Sequence, residues 1–107
     1  MRRGDLVTVA LQGDLGKPRP ALVIQSDLFE AHPSVTILPV TSDLRDAPLF
    51  RIDVSPSESN GLKLPSQVMA DKPQSVAREK IRGVFGHLED ETMLAMTRAL
   101  AVFLGFV

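Results

Sequence analysis

The chain has 107 residues, 44% of them hydrophobic and 23% charged, with a formal net charge of −1. That size predicts one domain, 1–107, with a modest core, and the charge excludes a global basic field, so a polyanion has to be held by a local patch. Zero cysteines exclude disulfides, thiolate metal sites and thiol catalysis, and two isolated histidines make no metal centre. Arg2 and Arg3 run straight into Asp5 with no small-residue cleavage site, so the start does not read as a signal peptide. The apolar run 99–107 is far too short to span a membrane, and the expected location is the cytoplasm.

In chain order, Asp5 to Leu11 alternates as a strand, with Leu6 or Val7 choosing the buried face. Residues 12–17 hold two glycines and an aspartate and read as a loop. Ala21 to Gln25 is a strand apolar enough to be core. Ser26 and Asp27 can cap a short helical turn over 28–31 that His32-Pro33 ends. Val35 to Val40 is β-branched and strand-like, and Pro39 inside it argues for a sheet edge or a bulge.

A polar loop follows from Thr41 to Pro48, then a half-exposed strand over 50–54 and a turn over 55–61. Ser66 to Ala70 is a further strand, Asp71 to Ser75 breaks it, and 79–86 forms the last short strand. From Glu89 the period becomes helical, with Met93, Met96, Leu100 and Phe103 at three-to-four spacing. Acidic residues 89–91 suit the positive end of that helix. Five or six short strands and one C-terminal helix predict a mainly β (α+β) fold, a small twisted barrel or half-barrel with the helix plugging one side. The tail from Ala101 to Val107 is apolar on nearly every face, which fits either a tail tucked into the core or a surface covered by a second copy.

One short run stands out chemically. Pro18 locks its own φ and Pro20 biases Arg19 toward extended backbone, so Arg19 sits on a stiff tether ahead of a core strand. Its guanidinium is always charged and planar, a shape that suits phosphate, and the run reads as part of an anion site.

Four strings, Arg3-Gly4-Asp5-Leu6, Gly16 to Gln25, Pro39-Val40-Thr41-Ser42 and Gln67 to Pro73, resemble the MazF/PemK/Kid family of type II toxin–antitoxin toxins. They fall in family order across essentially the whole chain, and the Arg-Pro element is the most specific. The resemblance implies an SH3-like barrel of the CcdB/PemK type and a sequence-specific endoribonuclease that cuts single-stranded mRNA without metal or other cofactor. The ends it implies are a 2′,3′-cyclic phosphate and a 5′-hydroxyl. It also implies a homodimer, a cognate antitoxin, operator DNA bound only through that antitoxin, and no membrane.

The same resemblance assigns roles. Arg19 matches the arginine that binds the scissile phosphate and Thr41 the threonine that donates to a phosphate oxygen, where an ordinary threonine would make a turn bond with Asp43. Asp71 matches the acid that one branch uses as base or orienting group, but Met69 stands where that branch has an arginine as proton donor. Gln12 and Asp14 are the polar residues of the short loop before Arg19. RNA contacts are expected from Lys17, Gln25, Ser42, Gln67 and Lys72, with the two glutamines suited either to base edges or to backbone pairing at strand ends. Lys63 is among the cations read as solvated surface. His32 and His87 have the pKa class for acid–base work but sit at element ends, where histidines are mostly structural. With no Tyr or Trp, bases would stack on Phe29, Phe50 or arginine planes. Two other readings keep the fold: a gyrase-poisoning toxin like CcdB without catalysis, and an inactive SH3-like interaction module.

Overall fold

The computed structural model describes residues 1–10 and 17–107, so Gln12 and Asp14 lie outside the described residues. Among the described residues seven strands form one antiparallel sheet: β1 (Asp5–Ala10), β2 (Pro18–Val23), β3 (Ser34–Thr41), β4 (Arg51–Val54), β5 (Ser66–Met69), β6 (Gln74–Ala77) and β7 (Ile81–His87). The helix α1 covers Asp90–Phe103. Neighbours run β4-β5-β3-β2-β1-β7, and β6 lies against β3 off this path. The fold is mainly β with one C-terminal helix, as expected.

Both faces of the central strands are buried, so the choice expected between Leu6 and Val7 does not arise. Leu6, Leu22, Leu38, Val40 and Val68 pack on one face with Val54, Leu88, Met93 and Met96. Val7, Val9, Ala21, Val23, Val35 and Ile37 pack on the other, closed by Val76 and Ile81. Leu38 and Met96 have no solvent exposure, and truncating either to Ala costs about 2–5 kcal/mol.

The turn at Asp27–Phe29 forms as a 3-10 turn, capped by Ser26 Oγ accepting from the Leu28 N–H at 3.2 Å. Three expectations change. The break predicted over 71–75 ends early, because β6 starts at Gln74; only Val76 of that strand is half-buried, too little alternation to announce it. Pro39 is not at a sheet edge. It sits opposite Ala21, in the gap where β3 stops pairing β6 at Ile37 and starts pairing β5 at Val40. Phe103 does not join the buried stripe: it is 50% exposed, followed by exposed Leu104, Phe106 and Val107, so the tail is not tucked into the core of its own chain.

Candidate active site

The site arises where the β2–β3 ladder ends. The register runs Val23↔Ile37, Leu22↔Leu38, Ala21↔Pro39 and stops there. The next pair would set Pro20 against Val40, but Pro20 has no N–H to give, while on its other edge β3 pairs Val40 with Val68 of β5. The strands therefore diverge, and a cavity of about 390 Å³ opens between them. Arg19 and Pro20 of β2 form one wall and Pro39 to Ser42 the second. The third comes from Leu62, Lys63, Leu64, Ser66 and Met69, carried alongside by the Thr41↔Gln67 pairing of β3 and β5.

The described lining holds two cations, Arg19 and Lys63, the hydroxyls of Thr41, Ser42 and Ser66, and no carboxylate. That set suits a phosphodiester: fixed positive charge for the anion, hydroxyl donors for its oxygens and apolar side chains for the flanking nucleoside. β1 holds the Arg19 backbone through Val9↔Arg19, flanked by Thr8↔Pro20 and Ala10↔Pro18. Thr41 Oγ1 accepts a hydrogen bond from the Asp43 N–H at 3.0 Å. The turn bond and the phosphate role are thus compatible, since accepting uses a lone pair and leaves the hydroxyl hydrogen to be donated.

Of the expected site residues, Arg19, Thr41 and Ser42 meet in this cavity. Lys17, Asp71 and Lys72 do not line it. Asp71 Oδ1 is buried with no hydrogen-bond partner among the described residues.

The two glutamines take the backbone role instead of presenting free amides. Gln25 Nε2 donates to the Phe29 and Ser34 carbonyls, each at 3.1 Å, and its Oε1 accepts from the Thr36 N–H at 3.0 Å. Gln67 is 5% exposed, and all four hydrogen-bonding positions of its amide are occupied, so it has nothing left for a base edge. Sequence reasoning undervalued Lys63. No local signal marks it, because only the β3–β5 pairing brings the Gly61-Leu62-Lys63-Leu64 segment to Ser42.

The histidines and phenylalanines stand elsewhere. His32 Nδ1 lies 3.1 Å from the Ser34 amide nitrogen, and His87 Nδ1 lies 2.9 Å from Asp5 Oδ1. Phe29 is exposed and Phe50 half-buried, and neither lines the cavity.

Residues 2–104 match the model of the PemK-like, MazF-like toxins of type II toxin–antitoxin systems. The chain is 46% identical to a probable endoribonuclease MazF of Mycolicibacterium smegmatis, over 98% of this chain and 97% of the relative. Its fold is similar to that of a mycobacterial endoribonuclease solved in complex with its cognate antitoxin, with a TM-score of 0.84 at 22% identity over 100% of this chain and 97% of that one. It is also similar to MazE–MazF of Deinococcus radiodurans, with a TM-score of 0.79 at 23% identity over 98% and 95% of the two chains.

Proposed function

This chain belongs to the family of PemK-like, MazF-like toxins of type II toxin–antitoxin systems, and from that premise we propose that it is an endoribonuclease toxin that cuts single-stranded mRNA in the cavity between β2 and β3. The observation that carries the reading is the meeting of Arg19 with Thr41 and Ser42 in one cavity that Lys63 also lines.

The reaction is an internal transesterification. The ribose 2′-oxygen bonds to the adjacent phosphorus, the bond from phosphorus to the 5′-oxygen breaks, and a 2′,3′-cyclic phosphate and a 5′-hydroxyl end result. One proton leaves the 2′-hydroxyl and one reaches the departing 5′-oxygen. Negative charge builds on the non-bridging oxygens between these events. Arg19, stiffened by its flanking prolines, faces that charge with a planar cation, and Thr41 donates its hydroxyl hydrogen to it. Lys63 and Ser42 add contacts to flanking phosphates.

Asp71, whose Oδ1 is buried and unpartnered among the described residues, does not line the cavity, so it is assigned the orienting role and the 2′-hydroxyl proton passes to water. An acceptor left without a donor inside a fold invites a functional explanation. Met69 offers no proton, so the departing oxygen takes its proton from water.

The partners of this reading are RNA, an antitoxin that covers the groove, a second copy of the chain, and operator DNA reached only through the antitoxin. The exposed Val102, Phe103, Phe106 and Val107 support a second copy. The setting is the cytoplasm, where mRNA is; no described helix is long and apolar enough to cross a membrane.

The test is cleavage of a long defined RNA in EDTA with mapping of 5′-hydroxyl ends. Cuts at a recurring short motif are expected, slowed about 10²–10³-fold by Arg19→Ala in a protein that remains folded. Intact RNA with the wild-type chain, or undiminished cutting by Arg19→Ala, would overturn the reading.

A further inference from the structure

Beneath the loop that carries Ser42 lies a polar chain that the cleavage scheme above does not use. It starts at Gln67, whose Oε1 accepts from the Arg45 N–H and from Arg51 Nη1, each at 3.0 Å. Its Nε2 donates to the Arg45 carbonyl at 2.9 Å and to Asp53 Oδ1 at 2.8 Å. The same Arg51 Nη1 donates to the Asp43 carbonyl at 3.0 Å. The Asp43 N–H in turn donates to Thr41 Oγ1 at 3.0 Å. Asp43 is therefore gripped at both of its backbone polar groups, by Arg51 on the inside and Thr41 on the outside.

The consequence falls on one hydrogen. A threonine hydroxyl has a single donor, and without a fixed acceptor role it rotates to suit its surroundings. Here the Asp43 amide occupies a lone pair, so the hydrogen is turned away from the loop, and a hydroxyl that accepts one bond donates the next more strongly. Thr41 lines the cavity with Arg19, while Arg51 lines no part of it.

We propose that Arg51 is a positioning residue for RNA cleavage: by holding the Asp43 carbonyl it keeps the Asp43 amide on Thr41 and the Thr41 hydroxyl aimed at the scissile phosphate. The proposal rests on the reading of Arg19 and Thr41 as the phosphate-handling pair. It assigns Arg51 an effect on turnover and none on RNA affinity, because only the donor at the reacting phosphate is misaligned when Arg51 is lost.

The experiment is a double-mutant cycle on the full chain. Single-turnover cleavage of a defined RNA is read beside binding of the same RNA carrying 2′-deoxyribose at the cut site. Thr41→Val is expected to slow cleavage about 10²-fold, the loss typical of one transition-state donor. Arg51→Met is expected to slow it about tenfold with binding of the deoxy RNA unchanged, the scale of a small misplacement of a catalytic group. In the double variant cleavage is no slower than in Thr41→Val alone, because the second change acts through a hydroxyl already gone. Arg51→Lys keeps the charge without the planar fork and falls between wild type and Arg51→Met. Should Arg51→Met not fold, the cycle runs on Arg51→Lys, with a loss of about threefold that vanishes beside Thr41→Val.

A wild-type rate in whichever arginine variant folds overturns the proposal. So does a loss that multiplies with that of Thr41→Val, or one that appears wholly as weaker binding. Wild-type cleavage by Thr41→Val sinks the reading of the site itself, a result distinct from failure of Arg51 alone.

Discussion

Two buried side-chain amides, Asn60 and Gln67, solve the same problem with opposite outcomes. Asn60 has no exposure; its Oδ1 accepts from the Ser57 and Leu62 N–H groups, each at 3.0 Å. Its Nδ2 donates to the Ser55 carbonyl at 2.9 Å and to Glu89 Oε1 at 3.1 Å. Each amide is fully satisfied, as burial of a polar group requires. The chain of contacts from Asn60 closes on its own turn and on the residue that precedes α1. The chain from Gln67 runs outward through Arg51 and Asp43 and ends on the hydroxyl of Thr41, which lines the cavity. A closed network yields rigidity alone; an open one can orient a group that reacts.

The sharpest way to break this contrast is Gly86→Ala. A Cβ on Gly86 would lie 2.0 Å from the Asn60 carbonyl oxygen, a backbone atom fixed by the turn around it. The turn must lift off β7, where the His87 N–H donates to the Ser59 carbonyl at 2.9 Å. Thermal or urea unfolding is expected to show a loss of about 4 kcal/mol, among the largest single-residue effects. Cleavage per folded molecule stays at the wild-type value, measured at a temperature where the variant is still native. A cleavage defect larger than the unfolded fraction explains would mean that the Asn60 network also reaches the site.

A smaller effect follows from Glu89, which closes the same network. Hydrogen bonds from Ser57 above all, and from Ser59 and Asn60, outweigh the opposing effect of burial and lower its pKa from 4.5 to about 2. The depressed folded-state value means the carboxylate contributes stability above pH 4.5 and loses it as pH falls toward 2. Glu89 is only half-buried, so solvent screening reduces the contribution to about 1 kcal/mol. The stability difference between wild type and Glu89→Gln is expected to be near its maximum at pH 6 and to shrink through that acid window. A difference independent of pH would assign the effect to packing rather than charge.

These two networks mark where the sequence was readable. Periodicity exposed the strands, the helix and the Pro-Arg-Pro tether, because each is a local pattern. The family resemblance supplied the pairing of Arg19 with Thr41, which are 22 positions apart and meet only because Pro20 and Pro39 end a ladder. Gln25 and Gln67 were open in sequence, since a glutamine able to pair backbone is equally able to read a base; burial decides between them. β6 was hidden because its pairing with β3, not its own alternation, makes it a strand. Lys63 and Arg51 carried no local mark at all. Their relation to the site is a matter of register across β3, β4 and β5.

The finest discrimination concerns what holds the loop after Thr41. Arg45 Nη2 lies 3.3 Å from Asp43 Oδ2, the kind of contact that invites a structural role, but the two side chains are 68% and 74% exposed. Exposed pairs of this kind contribute about 0–1 kcal/mol, offset by side-chain entropy and screened by salt. The Arg45 backbone is what Gln67 grips, at both its N–H and its carbonyl. Arg45→Ala leaves those groups in place. The variant is therefore expected to unfold within about 0.5 kcal/mol of wild type and to cleave within about twofold of it, the small difference shrinking as ionic strength rises. A tenfold loss that salt reproduces in the wild type would move the loop's anchor from the buried amide to the surface pair, and Arg51 would lose its claim on Thr41.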